Sequence, residues 1–203
     1  MSLLQFVLKR IEDGRMEPAA LGRFNRAVRT LETPDRQRLA AGHWHVPQPG
    51  LPLSTELVPW PIAQTMVNVV HRHHSAPVGH KFSMGVFAGD HLVGVAICGR
   101  PVARKLDNGS GVLEVTRIAC VSYKNAVSKL LSGVRKEASR LGAKMVITYT
   151  VPQEGGASLR ASGFCCDGAA GGGNWSRKGR PRTDLHPTSP KVRWSYQLKR
   201  TKK

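Results

Sequence analysis

Apolar residues recur along this chain at two periods, and the switches between the two mark out its elements. Residues 2–31 carry Leu3, Phe6, Val7, Ile11, Leu21, Phe24 and Val28 at roughly helical spacing, and Gly14 and Pro18 split the stretch into two predicted helices. A shorter element is predicted over 34–41, ending at Gly42. The run HWHVPQPGLPLSTELVPWP holds five prolines and reads as a linker without regular structure. Ile62, Met66, Val69 and Val70 fall on one side of a helix predicted over 62–73. FSMGVFA and LVGVAIC read as a hairpin turned at Gly89-Asp90-His91, and 112–121 as the next strand after an Asn108-Gly109 turn. The clearest pattern lies over 124–141, where Val127, Leu130, Leu131, Val134, Ala138 and Leu141 form one apolar stripe. Lys124, Lys129, Arg135, Lys136 and Arg140 make its basic periphery. A buried strand over 144–150, a short helix in GASLRASGF, a glycine spacer over 168–173 and a last strand in VRWSYQL complete the series. This alternation predicts an α+β (α/β-like) fold.

These elements divide the chain into an N-terminal helical appendage (1–42), a proline-rich linker (43–59), a core (60–198) with a long basic insertion (169–191), and a basic tail (199–203). With 203 residues, one domain plus appendages is expected. Charge adds a partner to the picture: 31 Lys+Arg against 13 Asp+Glu leave a formal +18, which points to a polyanion, with nucleic acid ahead of membrane. Residues 175–203 hold ten Lys/Arg and one acid, Asp184, so half of that charge lies in the last seventh of the chain. No apolar run reaches the roughly 18–20 residues that span a bilayer, and MSLLQFVLKRIEDG carries charge too early for a secretory signal. Cys98, Cys120, Cys165 and Cys166 show no zinc spacing and read as small reduced core residues of a cytoplasmic protein.

The order strand, basic helix, strand, short helix between 112 and 168 carries the first chemistry. A strand that delivers its end into a helix N-terminus aims unpaired N–H groups and the positive end of the helix dipole at its own exit. With GASLRASGF following, the arrangement resembles the core of the GNAT acyltransferase superfamily. The resemblance implies a central mixed sheet flanked by helices, and a loop that holds the pyrophosphate of coenzyme A. The family pattern there is Gln/Arg-x-x-Gly-x-Gly/Ala; this chain has Ser122-Tyr123-Lys124-Asn125-Ala126-Val127-Ser128, with no glycine. The expected cofactor contacts are Val121, Tyr123, Lys124, Asn125, Ala126 and Ser128. Asn125 and Ser128 can cap the helix and offer donors to a phosphate, or serve as an ordinary N-cap. Acyl-CoA is therefore one cofactor expectation and a metal ion another.

HRHHSAPVGHKFSMGVFAGDHLVGVAICGRP resembles a segment of the Mom family of phage DNA-modification proteins, and TYTVPQEGGASLRASGF, GNWSRKGRPR and PKVRW resemble related small phage and prophage proteins. Together the likeness spans about residues 60–198. It implies a GNAT-like enzyme that alters the exocyclic amine of adenine in DNA and shields phage genomes from restriction. His73 falls on the motif histidine, and His74 stands where the family has tyrosine. The GNAT tyrosine that protonates the leaving thiolate would fall at Leu159, leaving Tyr149 or Tyr123 to replace it. From the residues themselves three roles stay open for the histidines. One is a general base; another is a metal pair, His71 with His74 at i,i+3; the third is a structural or phosphate-contacting helix end. Glu114, on a strand, is a second candidate base, with a pair to Arg117 as the alternative.

In the tail, Trp175, Arg177, Arg180, Arg182 and Arg193 interleave aromatic and guanidinium groups, a pattern that stacks bases and neutralises phosphates. The leading expectation is a nucleobase-modifying transferase acting on DNA. An acyl-CoA N-acetyltransferase acting on protein or tRNA, and a non-catalytic nucleic-acid-binding protein on the same scaffold, are the alternatives.

Overall fold

A computed structural model describes residues 49–71, 76–103, 105–107, 109–121, 123–171 and 190–199, together with residue 12. The predicted helices before residue 42, His73 and His74, and the segment holding Trp175, Arg177, Arg180 and Arg182 lie outside the described residues.

The chain builds one seven-stranded sheet. Its strands are β1 (Leu53–Leu57), β2 (Phe82–Ala88), β3 (His91–Gly99), β4 (Val112–Cys120), β5 (Met145–Thr150), β6 (Cys165–Ala169) and β7 (Val192–Gln197). The spatial order is β1-β2-β3-β4-β5-β7-β6, and every neighbouring pair is antiparallel except β4 with β5. That one parallel pair needs a crossover, which α2 (Ala126–Arg140) supplies. Helix α1 (Trp60–Val70) sits between β1 and β2, and the short α3 (Ala157–Ala161) between β5 and β6.

Helices α1 and α2 both pack on β2, β3 and β4 and make no substantial contact with each other, so they cover opposite faces. Leu130 and Leu131 of α2 are fully buried and Val134 nearly so, each worth about 1.5–3 kcal/mol of apolar burial. The helix comes close enough to β1 that a Cβ on Gly133 would lie 2.8 Å from the Thr55 side chain. Met66 and Val67 close the other face from α1, with no exposed surface.

Several expectations change. The stretch 43–59 is not wholly a linker, because Leu53–Leu57 pairs with β2 from Leu53↔Ala88 to Leu57↔Met84. Prolines 52 and 59 flank this strand rather than interrupt it, and an edge strand needs partners on one side only. Helix α1 stops at Val70, not at residue 73: His71 is already extended (φ −72°, ψ 129°), its N–H capping back to the Val67 carbonyl. The glycine spacer begins later than residue 168, since Ala169 still pairs with Val192 and the Ala170 N–H bonds to the Lys191 carbonyl. Cys165 and Cys166 are exposed on the edge strand β6, whereas Cys98 is buried as expected.

Candidate functional site

The site is set by where β4 and β5 stop touching. Their parallel register holds for four pairs, Val112↔Met145 to Val115↔Thr148, yet β4 runs on to Cys120 and β5 to Thr150. Beyond Val115 the two strands part, and the chain leaving β4 turns at once into α2.

That turn is made by Asn125, the one described non-glycine residue with a positive φ (62°). A left-handed residue directly before a right-handed helix turns successive N–H groups into one concavity, a geometry suited to anions. Asparagine tolerates this region better than other residues with a side chain. The expectation that its side chain caps the helix is corrected, for Asn125 makes no side-chain cap bond and contributes through its backbone instead. The Ala126 N–H bonds to the Tyr123 carbonyl and the Lys129 N–H to the Asn125 carbonyl. Val127 and Ser128, whose N–H groups fall between those bonds, line the mouth of the junction.

A groove of about 620 Å³ opens here, walled by Gly50, Leu51 and Leu53 on one side and by Ala161 and Ser162 on the other. Its floor carries Lys124, Lys129 and Arg135 with Ser128 and Ser132, and among the described residues no acid lines it. A smaller recess of about 280 Å³ continues between Val127 and the α3 residues Ala157, Ser158 and Ala161. Arg135 lies over the Tyr196 ring at 4.4 Å, and its Nε is buried with no hydrogen-bond partner among the described residues. Arg135 also lines the groove and adds its positive charge there. The Tyr123 hydroxyl donates to the Leu51 carbonyl (3.2 Å), tying the segment before β1 to the rim.

Of the expected cofactor contacts, Tyr123, Lys124, Asn125, Ala126 and Ser128 line these two cavities. Ser128 does so with its hydroxyl donating to the Asn125 carbonyl (3.0 Å). Val121 does not. It is buried, its N–H is taken by the Val93 carbonyl, and its own carbonyl accepts from Tyr123. Arg135 and the Leu51 rim were missed by the sequence reading, which saw Arg135 only as basic periphery and 43–59 only as linker.

Glu114 and Tyr149 stand on the opposite face of the sheet. Pairing Ile97↔Arg117 but Cys98↔Val115 leaves Thr116 as an extra residue, a bulge that flips the alternation of β4. Glu114 and Arg117 therefore share the α1 face, three residues apart, and Thr116 does not sit in line with Glu114 as simple alternation predicts. Glu114 is 5 % exposed, and its Oε2 accepts from the Val102 N–H (2.8 Å). Burial pushes its carboxyl above the ordinary value, against the opposing pull of that N–H and of the Arg117 and Lys191 charges. Glu114 is thus a buried carboxylate that feels the Arg117 charge. Tyr149, half-buried, follows the last β4–β5 pair and so sits at the parting of the strands. Burial and the Glu114 charge hold its hydroxyl in the protonated form, while Arg193 pulls the other way by charge and hydrogen bond.

Of the residues expected to contact nucleic acid, Arg193 alone lies among the described ones. Arg193 is engaged within the sheet, its Nε donating to Asp167 Oδ2 (2.8 Å). Trp194 is 4 % exposed with its indole N–H donating to Thr150 Oγ1 (3.0 Å), so it offers no face for a base. His71 is the one described member of the proposed metal pair, and among the described residues no cluster of His, Cys, Asp and Glu is able to hold a metal. Among them, too, no helix is long and apolar enough to cross a membrane.

No family model and no curated protein matches the chain. Solved structures do. A Bacillus subtilis acetyltransferase in complex with CoA is 15 % identical over 73 % of this chain and 100 % of its own, with a TM-score of 0.51. The Salmonella typhimurium protein yncA, with its cofactor acetyl-CoA, is 13 % identical over 73 % of this chain and 95 % of its own, at 0.52. The ribosomal-protein-S18-alanine N-acetyltransferase from Escherichia coli is 10 % identical over 72 % and 94 %, at 0.50. The chain therefore has the GNAT acetyltransferase fold, a mixed sheet flanked by helices, as its resemblance to that superfamily implied.

Proposed function

We propose that the protein is an acyltransferase that takes its acyl group from acyl-CoA and passes it to an amine. The observation that supports this best is the junction of β4 and α2. There a left-handed Asn125 and the α2 N-terminus open onto a groove floored by Lys124, Lys129 and Arg135. A pyrophosphate fits that donor set by charge and by the number of N–H groups on offer. Structures of similar fold carry CoA or acetyl-CoA. The lack of glycine in the loop is no obstacle, because Asn125 adopts the conformation for which a glycine would otherwise be needed.

Acyl-CoA held there would supply a thioester carbonyl as electrophile. Lys124, Lys129, Arg135 and the first N–H groups of α2 bind and orient its phosphates. Glu114 takes the proton that the attacking amine must lose, directly or through one water, a task suited to a carboxylate raised toward neutrality by burial. Tyr149 keeps its hydroxyl proton near neutral pH and stands where the strands diverge.

A second reading for the acceptor is the amine of a nucleobase in DNA, as the Mom resemblance implies. It is favoured by the formal charge of +18 and its concentration in 175–203. Titration of the protein with acetyl-CoA tests the donor: saturable binding is expected, weakened about tenfold by Lys129→Glu or Arg135→Gln. A folded protein that binds no acetyl-CoA at millimolar concentration overturns the proposal. Mass spectrometry of peptides and of nucleosides, after incubation with acetyl-CoA, then separates a protein acceptor from a nucleic-acid one.

A further inference from the structure

Helix α2 spends one side on the sheet through Leu130, Leu131, Val134 and Ala138, and turns the other to solvent. On that outer side Lys129, Ser132, Lys136 and Ser139 follow one another at steps of three or four residues, so each is the surface neighbour of the next. Both lysines are exposed, and among the described residues no ion pair holds either. The one acid of α2, Glu137, is taken at both oxygens by Arg140 (2.8 and 2.7 Å), so that pair cancels and the row keeps its charge.

The row continues past the end of the helix. Gly142 (φ +75°) turns the chain, the Ala143 N–H bonds back to the Ala138 carbonyl, and Lys144 follows, exposed. The Lys144 carbonyl accepts from the Leu198 N–H (2.9 Å), which brings Lys199 to the same end. The fifteen residues of α2 rise about 22 Å in all. A duplex carries one phosphate per roughly 3.4 Å of axis on each strand, so a helix of this length runs beside about six phosphates of one strand.

We propose that this outer face, from Lys129 through Lys136 to Lys144, binds the phosphate backbone of a nucleic acid without reading its sequence. Lysines along the row neutralise phosphates, and the Ser132 and Ser139 hydroxyls donate to phosphate oxygens. Two other occupants fit less well. A helix that lies on a bilayer sinks its apolar side into the lipid, and the apolar side of α2 is already spent on the sheet. Protein interfaces are depleted in lysine, which supplies the charge here. The inference does not rest on the acyltransferase reading, because neither Lys136 nor Lys144 lines the groove or its recess.

The test is fluorescence anisotropy of a labelled duplex of about 20 base pairs, titrated with the full chain over a series of salt concentrations. Lys136→Gln combined with Lys144→Gln removes two contacts. The slope of log K against log salt should become shallower by about 1.8, which is about a sixtyfold loss of affinity at 0.1 M salt if the contacts are worth nothing at 1 M. Lys81→Gln is the control for charge alone, since its backbone lies over Gly99, which pairs with Glu114 on the α1 face. It should leave slope and affinity at the parent values. Unchanged melting temperature and acetyl-CoA titration in the double variant exclude unfolding and loss of the groove as the cause. A parent without salt-dependent duplex binding, a double variant with the parent's slope, or an equal loss in Lys81→Gln overturns the proposal. Displacement of the duplex by polyglutamate or anionic lipid vesicles at equal charge overturns the choice of nucleic acid. A parent that binds duplex as expected but takes no acetyl-CoA leaves this inference standing and overturns only the function proposed above.

Discussion

Gly156 tests how tightly the wall of the groove is tied to the sheet. It precedes α3 with φ +67°, and a Cβ built there would lie 2.2 Å from Trp194 Cζ2 and 2.5 Å from Cη2. Gly156→Ala therefore incurs two costs. Holding a non-glycine residue in the left-handed region costs about 1–2 kcal/mol. Making room costs about 1–3 kcal/mol more, because the obstacle is a buried indole and not the free end of a flexible chain. If the ring swings away it also gives up the bond from its N–H to Thr150 Oγ1, worth about 1 kcal/mol, and its contact with the Arg160 guanidinium. The expected destabilisation is about 3–5 kcal/mol, read by urea unfolding with an unchanged m-value. Trp194→Phe removes the benzo edge that the new methyl strikes, so in that background Gly156→Ala should cost only the backbone share, about 1–2 kcal/mol. A coupling of about 2 kcal/mol between the two substitutions is the signature. An equal cost in both backgrounds, or a cost below about 1 kcal/mol in the parent, would refute the packing argument.

Two further outcomes are expected. Asn125→Gly should leave stability and acetyl-CoA affinity close to the parent, while the β-branched Asn125→Val should lose about 1–2 kcal/mol of stability and most of the affinity, measured by unfolding and by titration. For Glu114, burial raises the folded-state pKa above the unfolded value, so the folded state holds the proton longer and stability falls as pH climbs from the unfolded pKa through the folded one. Glu114→Gln lacks that fall. The stability of the Gln variant relative to the parent should therefore rise across this window and then level off. A difference that stays flat from pH 4 to pH 8 would show that burial does not disfavour the Glu114 charge; the constant offset from leaving Arg117 without its neighbour does not affect the slope.

Period and punctuation along the chain were enough to place α2, the β2–β3 hairpin and the β4–α2–β5 crossover, because each buries a face whose spacing is written in consecutive residues. The resemblance to the GNAT superfamily and the location of the groove at the β4–α2 junction follow from that order, since any strand feeding a helix presents the same N–H groups. Three features were decided only by tertiary contacts. Leu53–Leu57 is a strand because an edge of β2 was free to pair with it, which a count of prolines does not register. Glu114 shares a face with Arg117, and Asp167 reaches Arg193, because single-residue bulges shift the alternation of β4 and β6; a bulge is a mismatch between two strands and belongs to neither sequence alone. Asn125 makes its turn with the backbone, in a left-handed conformation and with no side-chain cap bond, which its identity as an N-cap residue does not reveal. The histidines of 71–74 and the basic segment before β7 carry the nucleic-acid expectation in composition alone. What the sheet decided is where the residues of β7 point: strand pairing turned Arg193 toward Asp167 and Trp194 into the core.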